Sequence, residues 1–162
     1  FPEAHESLEP YKIGQHRHTP EIEQELGGLL RRASQPLGTV TAQPIVTFTP
    51  HLVPMNRGIL STAYCKLKIP MSLPDLRILY RNFYNGERFV RVQDDIIPNP
   101  RYIKGSNYCD IGIYLDPRSG SVITVAALDN LVKGAAGQAI QAMNLMLGLP
   151  EETGLTAPAA YP

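Results

Sequence analysis

Apolar positions along the chain change their spacing several times, and each change marks an element. Ile22, Leu26, Leu29 and Leu30 recur at helical spacing behind Thr19 and Pro20. Thr19 suits an N-cap, and Pro20 suits the first helical position, where its missing N–H costs nothing. A helix is therefore expected over residues 20–32. Gly27 and Gly28 weaken its middle by about 1 kcal/mol each relative to alanine and mark the place where it would break. Ahead of it, residues 1–15 read as a lead-in that becomes extended at Tyr11 to Ile13.

Ser34 to Pro44 reads as a loop and Ile45 to Thr49 as a short strand of β-formers closed by Pro50. Pro50, His51 and Pro54, followed by Arg57 and Gly58, describe a rigid loop between strands. Ile59 to Lys68 divides into two registers, Ile59, Ser61, Ala63, Cys65 and Leu67 on one face and Leu60, Thr62, Tyr64, Lys66 and Lys68 on the other, which predicts a long strand with one face in the core. Ser72, Pro74 and Asp75 form a capping signal for a helix whose stripe is Leu76, Leu79, Tyr80 and Phe83, ended by Asn85 and Gly86.

Phe89 to Val92 is a short strand, and Tyr102 to Lys104 is a further candidate. Cys109 to Leu115 places Ile111, Ile113 and Leu115 on one side, and Ser121 to Ala127 returns after the turn at Asp116 to Gly120, which makes a hairpin. Leu128 to Leu147 has one apolar helical face, with Gly134, Ala135, Ala136 and Gly137 near its start. Interior glycines there call for a packing or ligand reason. A tail rich in proline follows. The order of elements favours an α+β fold with a mixed, largely antiparallel sheet and helices on one face.

Composition narrows the function classes. The 162 residues suffice for one domain with a core, and 43% apolar content is ordinary for a globular protein. Fifteen basic and fifteen acidic side chains cancel, which removes any broad electrostatic case for nucleic acid or an anionic membrane. No run approaches a membrane helix of about 20 apolar residues. The two cysteines, Cys65 and Cys109, lie in alternating segments that read as core, and their spacing suits a reducing, cytoplasmic compartment.

Candidate chemistry concentrates in His16, Arg17, His18 and Glu21, at the amino end of the first helix. If residues 16–18 are extended, both imidazoles fall on one side of the chain, beside a helix terminus that favours anions. A zinc site would need further ligands at a recognisable spacing, and no metal is expected. Arg57 is the candidate for a phosphate or carboxylate, because a guanidinium binds such groups through two parallel hydrogen bonds; a loop salt bridge is the alternative. His51 is a further substrate-side candidate, with a structural hydrogen bond as its other reading.

Five segments taken in order, HRHTPEI (16–22), FTPHLVPMNRGIL (48–60), FYNGERFVRV (83–92), GSNYCDI (105–111) and DNLVKGAAGQAIQAMN (129–144), resemble the N-acetyl-gamma-glutamyl-phosphate reductase family over nearly the whole chain. The KGAA element is also similar to aspartate-semialdehyde dehydrogenase, a sister family. The resemblance implies a glyceraldehyde-3-phosphate dehydrogenase-like C-terminal domain of a two-domain NADP enzyme that forms a homo-oligomer. Such enzymes reduce N-acetyl-glutamyl 5-phosphate to the 5-semialdehyde through a cysteine thioester in arginine biosynthesis.

The chain departs from that family by lacking a GxGxxG behind a strand, and neither Cys65 nor Cys109 stands in the context of the family nucleophile. It therefore reads as the carboxyl-terminal half, inactive alone, with residues 1–127 as the substrate and dimerisation domain and residues 128–162 packing on a missing NADP-binding domain. The resemblance implies His18 as acid/base, with His16 its competitor, because an imidazole titrating near neutral pH can take the thiol proton and later protonate the alkoxide. Glu21 would orient a histidine or bind the acetamido end of the substrate. Asn130, Lys133, Gly134 and Gln138 would lie near the nicotinamide. A non-catalytic module of the same fold is the contrasting reading, and retention of His16, His18, Glu21 and Arg57 together favours the enzyme.

Overall fold

The structure is a computed structural model and describes residues 5–33 and 43–160 of the chain. The backbone divides between Asn56 and Arg57 into two units. The loop expected over Ser34 to Pro44 falls largely outside the described residues.

In the first unit a two-residue strand β1 (Glu9–Pro10) leads into helix α1 (His18–Ala33). The backbone turns between Lys12 and Gln15, closed by the Gln15 N–H on the Lys12 carbonyl at 3.0 Å, so the extended stretch expected at Tyr11 to Ile13 ends earlier, at Pro10. Helix α1 runs without interruption through Gly27 and Gly28. A Cβ at Gly27 would lie 2.7 Å from Gln43 Oε1 and 3.6 Å from the Pro44 ring, so this glycine serves close packing. The expected strand over Ile45 to Thr49 is absent, because the Val46 N–H is taken by the Glu23 carboxylate at 2.8 Å rather than by another strand. Pairing falls instead on β2 (His51–Leu52), antiparallel to β1, within what the prolines suggested was a loop.

The second unit is a four-stranded sheet. Strand β3 (Ile59–Lys66) is followed by helix α2 (Leu73–Phe83), β4 (Val90–Gln93), β5 (Cys109–Asp116) and β6 (Ser121–Leu128). The strand order is β3-β6-β5-β4; β3, β6 and β5 are antiparallel, and β4 runs parallel to β5. This is the mixed, largely antiparallel sheet that the pattern implied. The hairpin forms as expected, with Leu115 opposite Val122 and Ile113 opposite Thr124.

The α2 start follows its sequence signal: the Ser72 hydroxyl oxygen accepts the Asp75 N–H at 3.3 Å and donates to the Asp75 carboxylate at 2.6 Å. The helix ends at Phe83, and the turn that follows it passes through Gly86, whose φ of +89° a side chain would strain. Leu76, Ile111, Ile113 and Val122 form the buried core between α2 and the sheet, with Leu73, Tyr80 and Tyr84 packed around them. Each fully buried side chain of this kind contributes roughly 1.5–3 kcal/mol. Leu79 and Phe83, expected in this stripe, are exposed, because the core-facing row runs through Leu73, Leu76 and Tyr80.

Three further expectations change. Strand β3 is an edge strand and is exposed along all eight residues, so Cys65 is exposed rather than in the core, while Cys109 packs against the core half-buried. The candidate strand at Tyr102 to Lys104 is a 3₁₀ turn (Pro100–Tyr102) capped by the Asn99 side chain. The long helix expected from Leu128 onward begins later: β6 ends at Leu128, a π-helical turn spans Val132–Ala136, and helix α3 covers Gly137–Met146. The tail is anchored by Asn144, whose Nδ2 donates to the Glu151 and Thr153 carbonyls, both at 3.0 Å.

Candidate active site

In the first unit the two histidines differ sharply. His16 is 7% exposed, with Tyr11, Phe48 and His18 rings packed edge-on at 5.4, 5.3 and 4.7 Å. Its Nδ1 accepts the His18 N–H at 3.1 Å, and its carbonyl accepts the Thr19 N–H at 3.0 Å. Residues 16–19 are thus a turn rather than an extended segment, and His16 caps α1. Thr19 lies inside the helix, its buried hydroxyl without a partner among the described residues, so it is not the N-cap. Pro20 remains in the first turn, where no N–H is needed.

An acceptor at Nδ1 requires the neutral tautomer that carries its hydrogen on Nε2. Burial first, then the charges of His18, Lys12 and Arg17, push the His16 imidazole below its ordinary pKa, against an opposing pull from Glu21. His18, by contrast, has a half-exposed side chain with Nε2 3.8 Å from the Glu21 carboxylate. The turn therefore presents one imidazole to solvent and holds the other as a neutral support. His51 is exposed, and its Nδ1 bonds the Thr49 carbonyl at 3.2 Å, the structural role that was its alternative.

In the second unit Arg57 donates from Nη2 to the Asp129 carboxylate at 2.7 Å. Asp129 is fully buried, and its carboxylate also accepts the N–H groups of Gly105 at 2.6 Å, Leu131 at 2.8 Å and Val132 at 2.9 Å. Burial pushes this carboxyl up, but the Gly105 N–H, the Arg57 guanidinium and the Val132 and Leu131 N–H groups outweigh it and hold the pKa below the ordinary range. The salt bridge that was the alternative reading of Arg57 is present, and the side chain stays 30% exposed.

A family model described as semialdehyde dehydrogenase, dimerisation domain, matches residues 1–130. The chain belongs to this family. A protein named N-acetyl-gamma-glutamyl-phosphate reductase from Pelotomaculum thermopropionicum is 49% identical over 163 residues, covering 100% of this chain and 44% of its own length. A protein of the same name from Symbiobacterium thermophilum is 52% identical over 165 residues, with the same coverage. The chain thus spans less than half the length of the curated relatives it matches. Among solved structures, an aspartate semialdehyde dehydrogenase from Francisella tularensis superposes with a TM-score of 0.67 at 18% identity, over 89% of this chain and 40% of that one, and it shares the fold.

In this member of the dimerisation-domain family, the segment expected near a nicotinamide is held from within. Asn130 Oδ1 accepts the Gly58 N–H at 2.7 Å, and Lys133 turns inward, with Nζ 2.8 Å from Gln141 Oε1 and 5.7 Å from the centre of the Phe89 ring. Gln138 is exposed and donates to the Gly134 carbonyl at 3.3 Å. A Cβ at Gly137 would sit 2.3 Å from Asn107 Oδ1 and 2.7 Å from the Val132 carbonyl carbon, and one at Gly134 would sit 3.2 Å from the Asp129 carbonyl oxygen. Packing accounts for both glycines. Gly134, Ala135 and Ala136 are nonetheless exposed, which leaves a face of small residues that a flat ring can approach.

Asp129 was not among the residues singled out from sequence. Its signal was an aspartate two and three residues ahead of free N–H groups, the pattern of a helix-start cap, masked by an apolar run continuous from β6. Cys109 is no activated nucleophile: burial, with Asp110, pushes its thiol up, against the pull of Lys133. No group of three or more His, Cys, Asp or Glu that could hold a metal is present among the described residues.

Proposed function

We propose that this chain is the carboxyl-terminal half of an N-acetyl-gamma-glutamyl-phosphate reductase. The whole enzyme reduces N-acetyl-glutamyl 5-phosphate to the 5-semialdehyde with NADPH, as a cytoplasmic step of arginine biosynthesis. The reading rests on the presentation of His18: a half-exposed imidazole beside Glu21, on a turn fixed by buried His16. Relatives of that name at about half identity over the full chain support it.

His18 takes the proton of an upstream cysteine thiol as its sulfur attacks the acyl carbon and phosphate leaves, and gives that proton to the alkoxide formed when the resulting thioester is reduced; collapse of this hemithioacetal returns the proton to sulfur and releases the aldehyde. Glu21 orients that imidazole or receives the acetamido end of the substrate. Arg57, anchored on one edge by Asp129, receives the phosphate or α-carboxylate. NADPH, when bound by the nucleotide domain, supplies the hydride. The small exposed face at Gly134 to Ala136, with Asn130 and Gln138 on the same segment, would receive its nicotinamide, and residues 128–162 would pack on that domain. The exposed edge strand, with Leu60 53% and Tyr64 71% exposed, supplies apolar surface for a homo-oligomer.

The full-length protein should reduce NADP with N-acetylglutamate semialdehyde only when inorganic phosphate is present, and this chain alone should not. Equal turnover of aspartate semialdehyde would favour the sister activity. Absence of phosphate-dependent turnover with either aldehyde would point to a non-catalytic dimerisation module.

A further inference from the structure

Three segments, two of them distant in sequence, meet on the dipeptide Asp129–Asn130. From the first, Arg57 reaches the Asp129 side chain at 2.7 Å, and the Gly58 N–H reaches Asn130 Oδ1 at 2.7 Å. From the second, the Leu131 and Val132 N–H groups reach Asp129 Oδ1, and the Gly134 N–H reaches the Asp129 carbonyl at 2.8 Å. A third, the Gly105 loop, donates to Oδ2 at 2.6 Å. It does so with a φ of +79°, which glycine adopts without strain. Both carboxylate oxygens each accept two donors.

Such a node is a costly way to gain stability. A buried ion pair is often matched by apolar residues of the same volume, because desolvation consumes most of the Coulombic gain. What it supplies instead is fixed geometry. A guanidinium tethered through one Nη keeps its other donors in a defined plane, and Arg57 remains 30% exposed with its Nε buried. On the other side, the same carboxylate fixes the start of a π-helical turn, a rare conformation that concentrates at functional sites.

We infer that Asp129 is the positioning residue of the site: one carboxylate sets both the guanidinium, which of its two candidate anions receives the phosphate, and the backbone turn that would face the nicotinamide. The inference rests on the function proposed above, deepens it by naming a residue that touches neither reactant, and predicts that the two binding sites lose their geometry together.

The test uses the full-length protein in the phosphate-dependent direction, with inorganic phosphate and NADP varied separately. Asp129→Asn should raise KM for phosphate at least tenfold and KM for NADP severalfold. In an Arg57→Gln background the same change should leave the phosphate KM within twofold of Arg57→Gln alone, while the NADP effect persists. Should Asp129→Asn fail to fold, Arg57→Lys, which keeps the charge but not the fork, should raise the phosphate KM at least tenfold with the NADP KM unchanged. A folded Asp129→Asn protein, or a folded Arg57→Lys protein, with both KM values within twofold of the parent and only a lowered thermal midpoint would overturn the inference. A parent protein without phosphate-dependent turnover would instead remove the proposed function, and this role with it.

Discussion

The His16 imidazole accepts the backbone N–H of His18 through Nδ1 at 3.1 Å, so one histidine of the pair holds the chain on which the other stands. Protonated His16 has no lone pair at Nδ1 and cannot make that bond. Its pKa is depressed in the fold, so the unfolded chain binds the proton first as pH falls. The stabilisation is complete above the unfolded value near 6.5 and is lost progressively as pH falls from there through the lower folded pKa. Thermal midpoints measured from pH 8 to 5 should fall below pH 6.5 in the parent and fall less in His16→Phe. Equal slopes would show that the cap does not titrate.

Ser72 tests the second unit. Its hydroxyl is exposed and caps α2 through the Asp75 N–H, so Ser72→Ala should cost about 1 kcal/mol in urea unfolding. A change of a few tenths or less would mean that water replaces the cap.

Much of the second unit was legible because its signals are local. The Ser72 cap, the Asp116 to Gly120 turn and the alternation of Ile111, Ile113 and Leu115 each act within a few residues, and all three appear as read. The first unit was less so, because its backbone is organised by distant side chains. Glu23 takes the Val46 N–H, 23 positions away, and His16 displaces Thr19 as the cap because Tyr11 and Phe48 hold its ring. Asp129 was missed for a related reason: its Arg57 and Gly105 partners lie 72 and 24 positions away, so spacing showed only a leucine-rich run entering a helix.

Glycines in the helices give a sign test. On propensity alone, alanine should stabilise by about 1 kcal/mol wherever it fits. At Gly28 the nearest atom to a new Cβ is the flexible Arg31 Nη2 at 3.9 Å, so Gly28→Ala should raise stability by up to about that amount. At Gly137 the Cβ would meet the Val132 backbone at 2.7 Å, and overpacking of this kind costs about 1–3 kcal/mol. Gly137→Ala should therefore destabilise in the same urea titration. A stabilising Gly137→Ala would mean that the 132–137 turn relaxes freely.

Leu76 sits 2% exposed where α2 meets the sheet. Leu76→Ala should cost about 2–5 kcal/mol, whereas Leu79→Ala on the same helix, at a position 52% exposed, should cost far less. Similar losses at the two positions would contradict the orientation of α2 described above.

The division of labour between the two histidines is the central claim, and steady-state turnover of the full-length protein with N-acetylglutamate semialdehyde, NADP and phosphate tests it most directly. A general acid/base contributes about 10²–10⁴ in rate, so His18→Asn should lower kcat by that factor at pH 7.5 with the thermal midpoint unchanged. His16→Asn should lower the thermal midpoint as well as the rate. If His18→Asn kept kcat within tenfold of the parent while His16→Asn alone abolished turnover with its fold intact, the roles assigned to the two imidazoles would be reversed.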